Sequence, residues 1–155
     1  MTTLLEFCAD QPVVSFAAGE AILGENLKDG KLRVLKKGVV EITKRGTIIN
    51  RLSSPGSVLG EIGILLDLPF GGTVTAVEPT DVYVIENGDL FLQQHPEMLK
   101  LVTRLLARRL RNLTDELVEI REQIEARSTE EDLGYLGRFD DVLRRLVDHH
   151  SDRDF

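Results

Sequence analysis

The chain has 155 residues, 42% of them hydrophobic, with 19 Lys and Arg against 26 Asp and Glu, for a formal net charge of −7. That is enough for one domain with a real core and an appendage, and the acidity argues against a nucleic-acid-binding surface or an anionic membrane surface. The only cysteine, Cys8, rules out an intrachain disulfide and a cysteine-ligated zinc or iron–sulfur centre; with no signal peptide and no long apolar run, a cytoplasmic protein that does not enter a membrane is expected.

Residues 3–9, TLLEFCA, suit a short helix with Leu4, Leu5 and Phe7 turned inward and Cys8 as a small buried hydrophobe. From Val13 to Val58 short alternating runs are separated by turns. Phe16, Gly19 and Ile22 open the series, Leu32, Val34 and Leu35 lead to Gly38, and Val40 and Ile42 lead to the turn Lys44-Arg45-Gly46. Ile48, Ile49 and Leu52 then run to the tight turn Pro55-Gly56. Short strands punctuated in this way predict a small β-barrel or jelly roll.

The stretch GEIGILLDLPFGGTVTA, Gly60 to Ala76, reads as a loop that makes one helical turn and then feeds a strand. Free backbone N–H groups at such a turn form an anion nest. Glu61 is a lone acid in an apolar run, so burial obliges it to find a polar partner. Two further strands, 73–78 and 80–85, follow. Asn87 is a fitting N-cap for a short helix through Gln94, and Pro96 suits the first turn of the next helix.

That helix has no internal Gly or Pro from Glu97 to Arg127, so it runs for about 45 Å. Leu99 and Val102 begin its apolar stripe, and Leu106, Leu110, Leu113, Leu117, Ile120 and Ile124 continue it in steps of 4, 3, 4, 3, 4. Such a heptad seam predicts a parallel two-stranded coiled coil, and hence a homodimer through residues 96–127, rather than a single amphipathic helix packed on its own β domain. Arg104, Arg108 and Arg111 share one face of it, as a solvated flank or, alternatively, as a contact for an acidic partner. Ser128 and Glu131 form a capping-box pattern, which predicts a break near Arg127 and a new helix. Gly134 and Gly137 are expected to interrupt that helix, and Phe139, Val142, Leu143, Leu146 and Val147 line one face of a last one, before a polar tail from His149 to Phe155. The expected organisation is residues 1–95 as the β domain with flanking helices, 96–127 as the dimerisation helix and 128–155 as a short helical tail.

The Gly60–Ala76 stretch resembles the phosphate-binding cassette of cyclic-nucleotide-binding domains of the Crp–Fnr regulators and kinase regulatory subunits. Gly60, Glu61, Pro69, Thr73, Val74 and Ala76 stand at the matching spacing, and Gly19, Gly38 and Pro55-Gly56 also sit where the family's do. The resemblance covers residues 13–127 and implies the fold and a homodimer through the long helix, which carries a similar Ala107-Arg108-Arg109-Leu110 run. It also implies a pocket formed by Gly60, Glu61, Ile62, Gly63, Phe70, Gly71, Gly72 and Thr73, with a cyclic nucleotide as its ligand. One residue departs from the pattern. Where the family places the arginine that clamps the cyclic phosphate, this chain has Phe70. Losing a bidentate arginine costs roughly tenfold to several hundredfold in affinity, and Arg33, Arg45 or Arg51 would be its substitutes. Glu61 is then either the acceptor for a ribose hydroxyl or a structural acid held by backbone N–H groups.

In the Crp type, a Thr-Ser pair on the dimer helix touches the adenine. The matching positions hold Leu113, which belongs to the seam, and Thr114, which remains a candidate for the base. The winged helix-turn-helix that follows in Crp-type regulators does not fit in the 15 or so residues after Phe139. His95, His149 and His150 lack neighbours at ligand spacing, so no metal is expected, and no catalytic constellation is apparent. The expected protein is mainly β with α: a non-catalytic, homodimeric sensor or adaptor whose usual cyclic AMP or GMP binding is weakened or lost, with a protein partner for its output. A genuine cyclic-nucleotide receptor is the alternative, and a DNA-binding regulator a more distant one.

Overall fold

The computed structural model of the chain describes residues 3–127 and 130–147. In chain order the elements are α1 (Leu4–Phe7), β1 (Val13–Phe16), β2 (Ala21–Leu23), β3 (Leu32–Lys37), β4 (Val40–Lys44), β5 (Thr47–Leu52), β6 (Val58–Leu59), α2 (Glu61–Leu65), β7 (Thr73–Ala76), β8 (Thr80–Ile85), α3 (Gly88–Gln94), α4 (Pro96–Ala126) and α5 (Glu130–Val147). They fall into two compact units that part between Val102 and Thr103, inside α4.

The first unit is built on two four-stranded antiparallel sheets, ordered β1-β8-β3-β6 and β2-β7-β4-β5. The expected barrel is therefore a jelly-roll-like sandwich that does not close, because the sheets are not hydrogen-bonded to each other along any described strand. The chain changes sheets between β3 and β4 at Gly38. Gly38 has φ +107, and a Cβ there would stand 2.8 Å from the Cα of Thr80, so the corner takes only glycine. Between β4 and β5, Arg45 and Gly46 both have positive φ, at 50° and 77°. With Lys44 opposite Thr47, this is the two-residue type I′ turn that suits twisted hairpins.

Leu35, Val40, Leu59, Val74, Val82 and Val84 fill the sandwich interior. On β3 the run Leu32 to Leu35 is buried throughout. Leu35 faces the interior, so by the two-residue period Leu32 and Val34 face the other way, and α1 packs on this strand. Leu4, Leu5 and Phe7 are half-buried rather than fully enclosed, while Cys8 is completely buried. Burial pushes the Cys8 thiol up to about 11, so it stays protonated and inert. Asn87 caps α3 as expected, its Oδ1 accepting the Leu90 N–H at 3.0 Å. Met98 and Val102, in the first turns of α4, are fully buried.

In the second unit α4 ends at Ala126, near the expected break. The proposed cap Ser128 and the tail from His149 lie outside the described residues. Gly134 and Gly137 do not interrupt the following segment, which is one helix. An interior glycine costs only about 1 kcal/mol relative to alanine, and here tertiary contacts outweigh it. Leu136 is buried, and Arg121 on α4 pairs with Asp140 on α5 at 2.7 Å, so α5 returns alongside α4. The seam positions differ in exposure. Leu106, Leu117 and Ile124 are half-buried, whereas Leu110, Leu113 and Ile120 are 46%, 48% and 43% exposed.

Candidate functional site

Strand β6 runs into α2 through Gly60, whose φ of 85° is left-handed. This bend tucks Glu61 inward, leaving it 4% exposed, and turns Ile62 outward at 54% exposed. After α2 the chain reverses tightly, Leu68 N–H donating to the Gly63 carbonyl at 2.9 Å, and delivers Phe70 to the interior. Phe70 is 4% exposed and belongs to the core cluster with Leu23, Leu59 and Val74. Its ring occupies the space over the two glycines of the turn. A Cβ on Gly60 would lie 2.8 Å from the ring and one on Gly63 3.2 Å from it.

The loop between β2 and β3 braces Phe70 from the other side. Asn26 N–H donates to the Phe70 carbonyl, and Phe70 N–H to the Leu27 carbonyl, both at 2.9 Å. Lys28 Nζ meets Asp67 at 2.7 Å, and Glu25 N–H donates to Thr73 Oγ1 at 3.0 Å. Gly72 is held small by strand approach, since a Cβ there would stand 2.8 Å from the Thr43 carbonyl oxygen, whereas Gly71 is open. A cavity of about 80 Å³ remains, lined by residues that include Lys28, Gly63, Asp67, Phe70, Asn87 and Asp89. Ligand pockets for molecules of drug size usually run from about 300 Å³ upward, so this space suits water better than a nucleotide.

Of the three arginines considered as substitutes, Arg33 alone reaches Phe70, its guanidinium carbon 5.8 Å from the ring centroid. Arg33 is 8% exposed. It lies on the Leu35 face of β3, opposite Leu59 and Val84. Arg45 sits at the β4–β5 turn, and Arg51 pairs with Glu41 at 2.7 Å on an exposed part of the other sheet. Asp29 takes Arg33 in a fork, with Nη2 to Oδ2 at 2.6 Å and Nη1 to Oδ1 at 3.3 Å. Burial raises the Asp29 carboxyl pKa, but hydrogen bonds from Arg33 and Lys31 and their charges outweigh this and hold it below the usual carboxylate value.

A family model described as the cyclic nucleotide-binding domain matches residues 13–93. The chain belongs to this family. Among solved structures, the catabolite activator protein of Thermus thermophilus matches at 22% identity and TM-score 0.62, over 78% of this chain and 61% of its own. The N-terminal domain of a transcriptional regulator from Streptomyces coelicolor A3(2) matches at 28% identity and TM-score 0.52, over 72% of this chain and 84% of its own. A structure of cAMP-bound PfPKA-R matches at 21% identity and TM-score 0.57, over 70% of this chain and 36% of its own. This chain therefore spans about three fifths of the Thermus protein. No curated protein matches it significantly.

In this cyclic nucleotide-binding domain the predicted cassette residues gather on one side of the sandwich, Gly63 and Phe70 lining the small cavity and Thr73 facing the β2–β3 loop. Thr114 belongs to the second unit, where its hydroxyl donates to the Leu110 carbonyl at 2.9 Å. His95 stacks on Phe91 at 4.1 Å between ring centroids, and no cluster fit for a metal occurs among the described residues. No described helix is long and apolar enough to cross a membrane. Sequence reasoning passed over Lys28, Asp29 and Asp67. The available signal was slight: a Lys-Asp-Gly turn at 28–30, with Asp29 four residues before Arg33.

Proposed function

We propose that this cyclic nucleotide-binding domain is a non-catalytic sensor or adaptor in which the usual grip on cyclic AMP or GMP is weakened or lost, that pairs through α4, and that acts through a protein partner. The observation that supports it is the buried Phe70 ring, packed over Gly60 and Gly63. A cyclic phosphate needs charge-assisted donors, each worth about 1.5–3 kcal/mol, and an aromatic ring supplies none. Two of the nearby cations are already engaged, Lys28 with Asp67 and Arg33 with Asp29; Lys44, whose Nζ stands beside Gly71, is the third. Calorimetry with cyclic AMP, cyclic GMP and a cyclic dinucleotide tests the reading. The wild type should give no heat at micromolar concentrations, and Phe70→Arg should create or strengthen binding. Micromolar affinity in the wild type would instead establish the receptor reading, which the inward-facing Arg33 favours.

A further inference from the structure

Among the described residues, Arg33 and Glu61 are the two charged side chains that are buried. A buried guanidinium is stable only when paired, and the partner of Arg33 comes from within the chain. The fork from Asp29 matches the way a guanidinium grips two oxygens of a carboxylate or phosphate. The guanidinium also lies over the ring that stands where the family's clamping arginine would be. Positive charge thus reaches the cassette from β3. Asp29 is the accessible half of the pair, its side chain 35% exposed against 9% for Arg33. The loop that carries it is fastened independently of its carboxylate–guanidinium contact, through the Phe70 backbone and the Lys28–Asp67 pair.

We infer that Arg33 is a latent anion site, that the Asp29 carboxylate is its built-in occupant, and that a phosphate-bearing ligand enters by displacing Asp29 from the fork. The inference rests on the reading that Phe70 has ended the usual grip. It adds the replacement group and the internal competitor that keeps it occupied.

The test is calorimetry on the full chain with cyclic AMP and with inorganic phosphate, using wild type, D29N and the double variant D29N/R33Q. Asparagine removes the charge but keeps an acceptor for the Lys31 N–H, which now donates to Asp29 Oδ1 at 2.9 Å. D29N should bind at least tenfold tighter than wild type, and R33Q should abolish the gain. A gain with cyclic AMP alone assigns the site to a nucleotide, and a gain with both probes assigns it to the free anion; either supports the inference. A D29N protein that melts like wild type yet gains nothing for either probe overturns it, as does a gain that survives R33Q. If D29N does not fold, Asp29→Ser, which also offers an acceptor to Lys31, is read in the same way. Tight binding by the wild type would end the previous reading, while the D29N to wild-type ratio would still decide this one.

Discussion

The ring of Phe70 fits because Gly60 and Gly63 carry no Cβ. Gly60→Ala meets two obstacles, a left-handed φ of 85° and a ring carbon 2.8 Å from the new methyl. The first costs about 1–2 kcal/mol and overpacking about 1–3 kcal/mol, so chemical denaturation should show a loss of about 2 kcal/mol or more. In Gly60→Ala/Phe70→Leu the loss should be smaller than the sum of the two single changes, because the smaller side chain removes part of the overlap. Asp29 leads to a prediction about pH. Its folded pKa lies below its ordinary value of 3.8, so its pairing contributes fully above that value and is lost as pH falls through the folded pKa. Thermal stability should therefore decline on acidification below about pH 4, and D29N should flatten that part of the profile.

At the scale of elements, the single apolar stripe of α4 is unevenly covered. Leu117 and Ile124 are half-buried with Arg121, which reaches α5. Leu110, Leu113 and Ile120 stay largely exposed. If those exposed positions form the homodimer contact, Leu113→Asp should abolish self-association in analytical ultracentrifugation. It should change the melting of the isolated subunit little, since surface substitutions usually fall within about 0.5 kcal/mol. A dimer that survives Leu113→Asp and Leu110→Asp together would place the contact elsewhere. α5 shows the limit of reading glycine as a stop: Gly134 and Gly137 lie within a continuous helix, because a penalty near 1 kcal/mol is small against the burial of a leucine such as Leu136.

For the whole molecule, ligand binding and stability are linked. A ligand at 100 times its Kd would stabilise the folded chain by about 2.7 kcal/mol, a shift that scanning fluorimetry would detect. Millimolar cyclic AMP should leave the wild-type melting temperature unchanged, whereas Phe70→Arg should respond. Any signal from the cassette to a partner would be a shift between two populations, limited by the ligand's differential affinity for them.

Much of the chain was legible because its signals are local. The spacing from Gly60 to Ala76, the Lys44–Gly46 turn, the Asn87 cap and the unbroken run of α4 each depend on residues within a turn or two of one another, where dihedral preference and side-chain period decide the outcome. The sequence also placed a phenylalanine where an arginine was expected, and so raised the question of the ligand. Only the tertiary structure answered what surrounds that ring. The contact of Arg33 with Phe70 depends on the register of β3 against β6 and on the path of the cassette loop, the choice of a sandwich over a barrel on which strand edges meet, and the pairing of Arg121 with Asp140 on where α5 returns. These are meetings between residues distant along the chain, and no local preference encodes which of the many possible meetings the packed core will select.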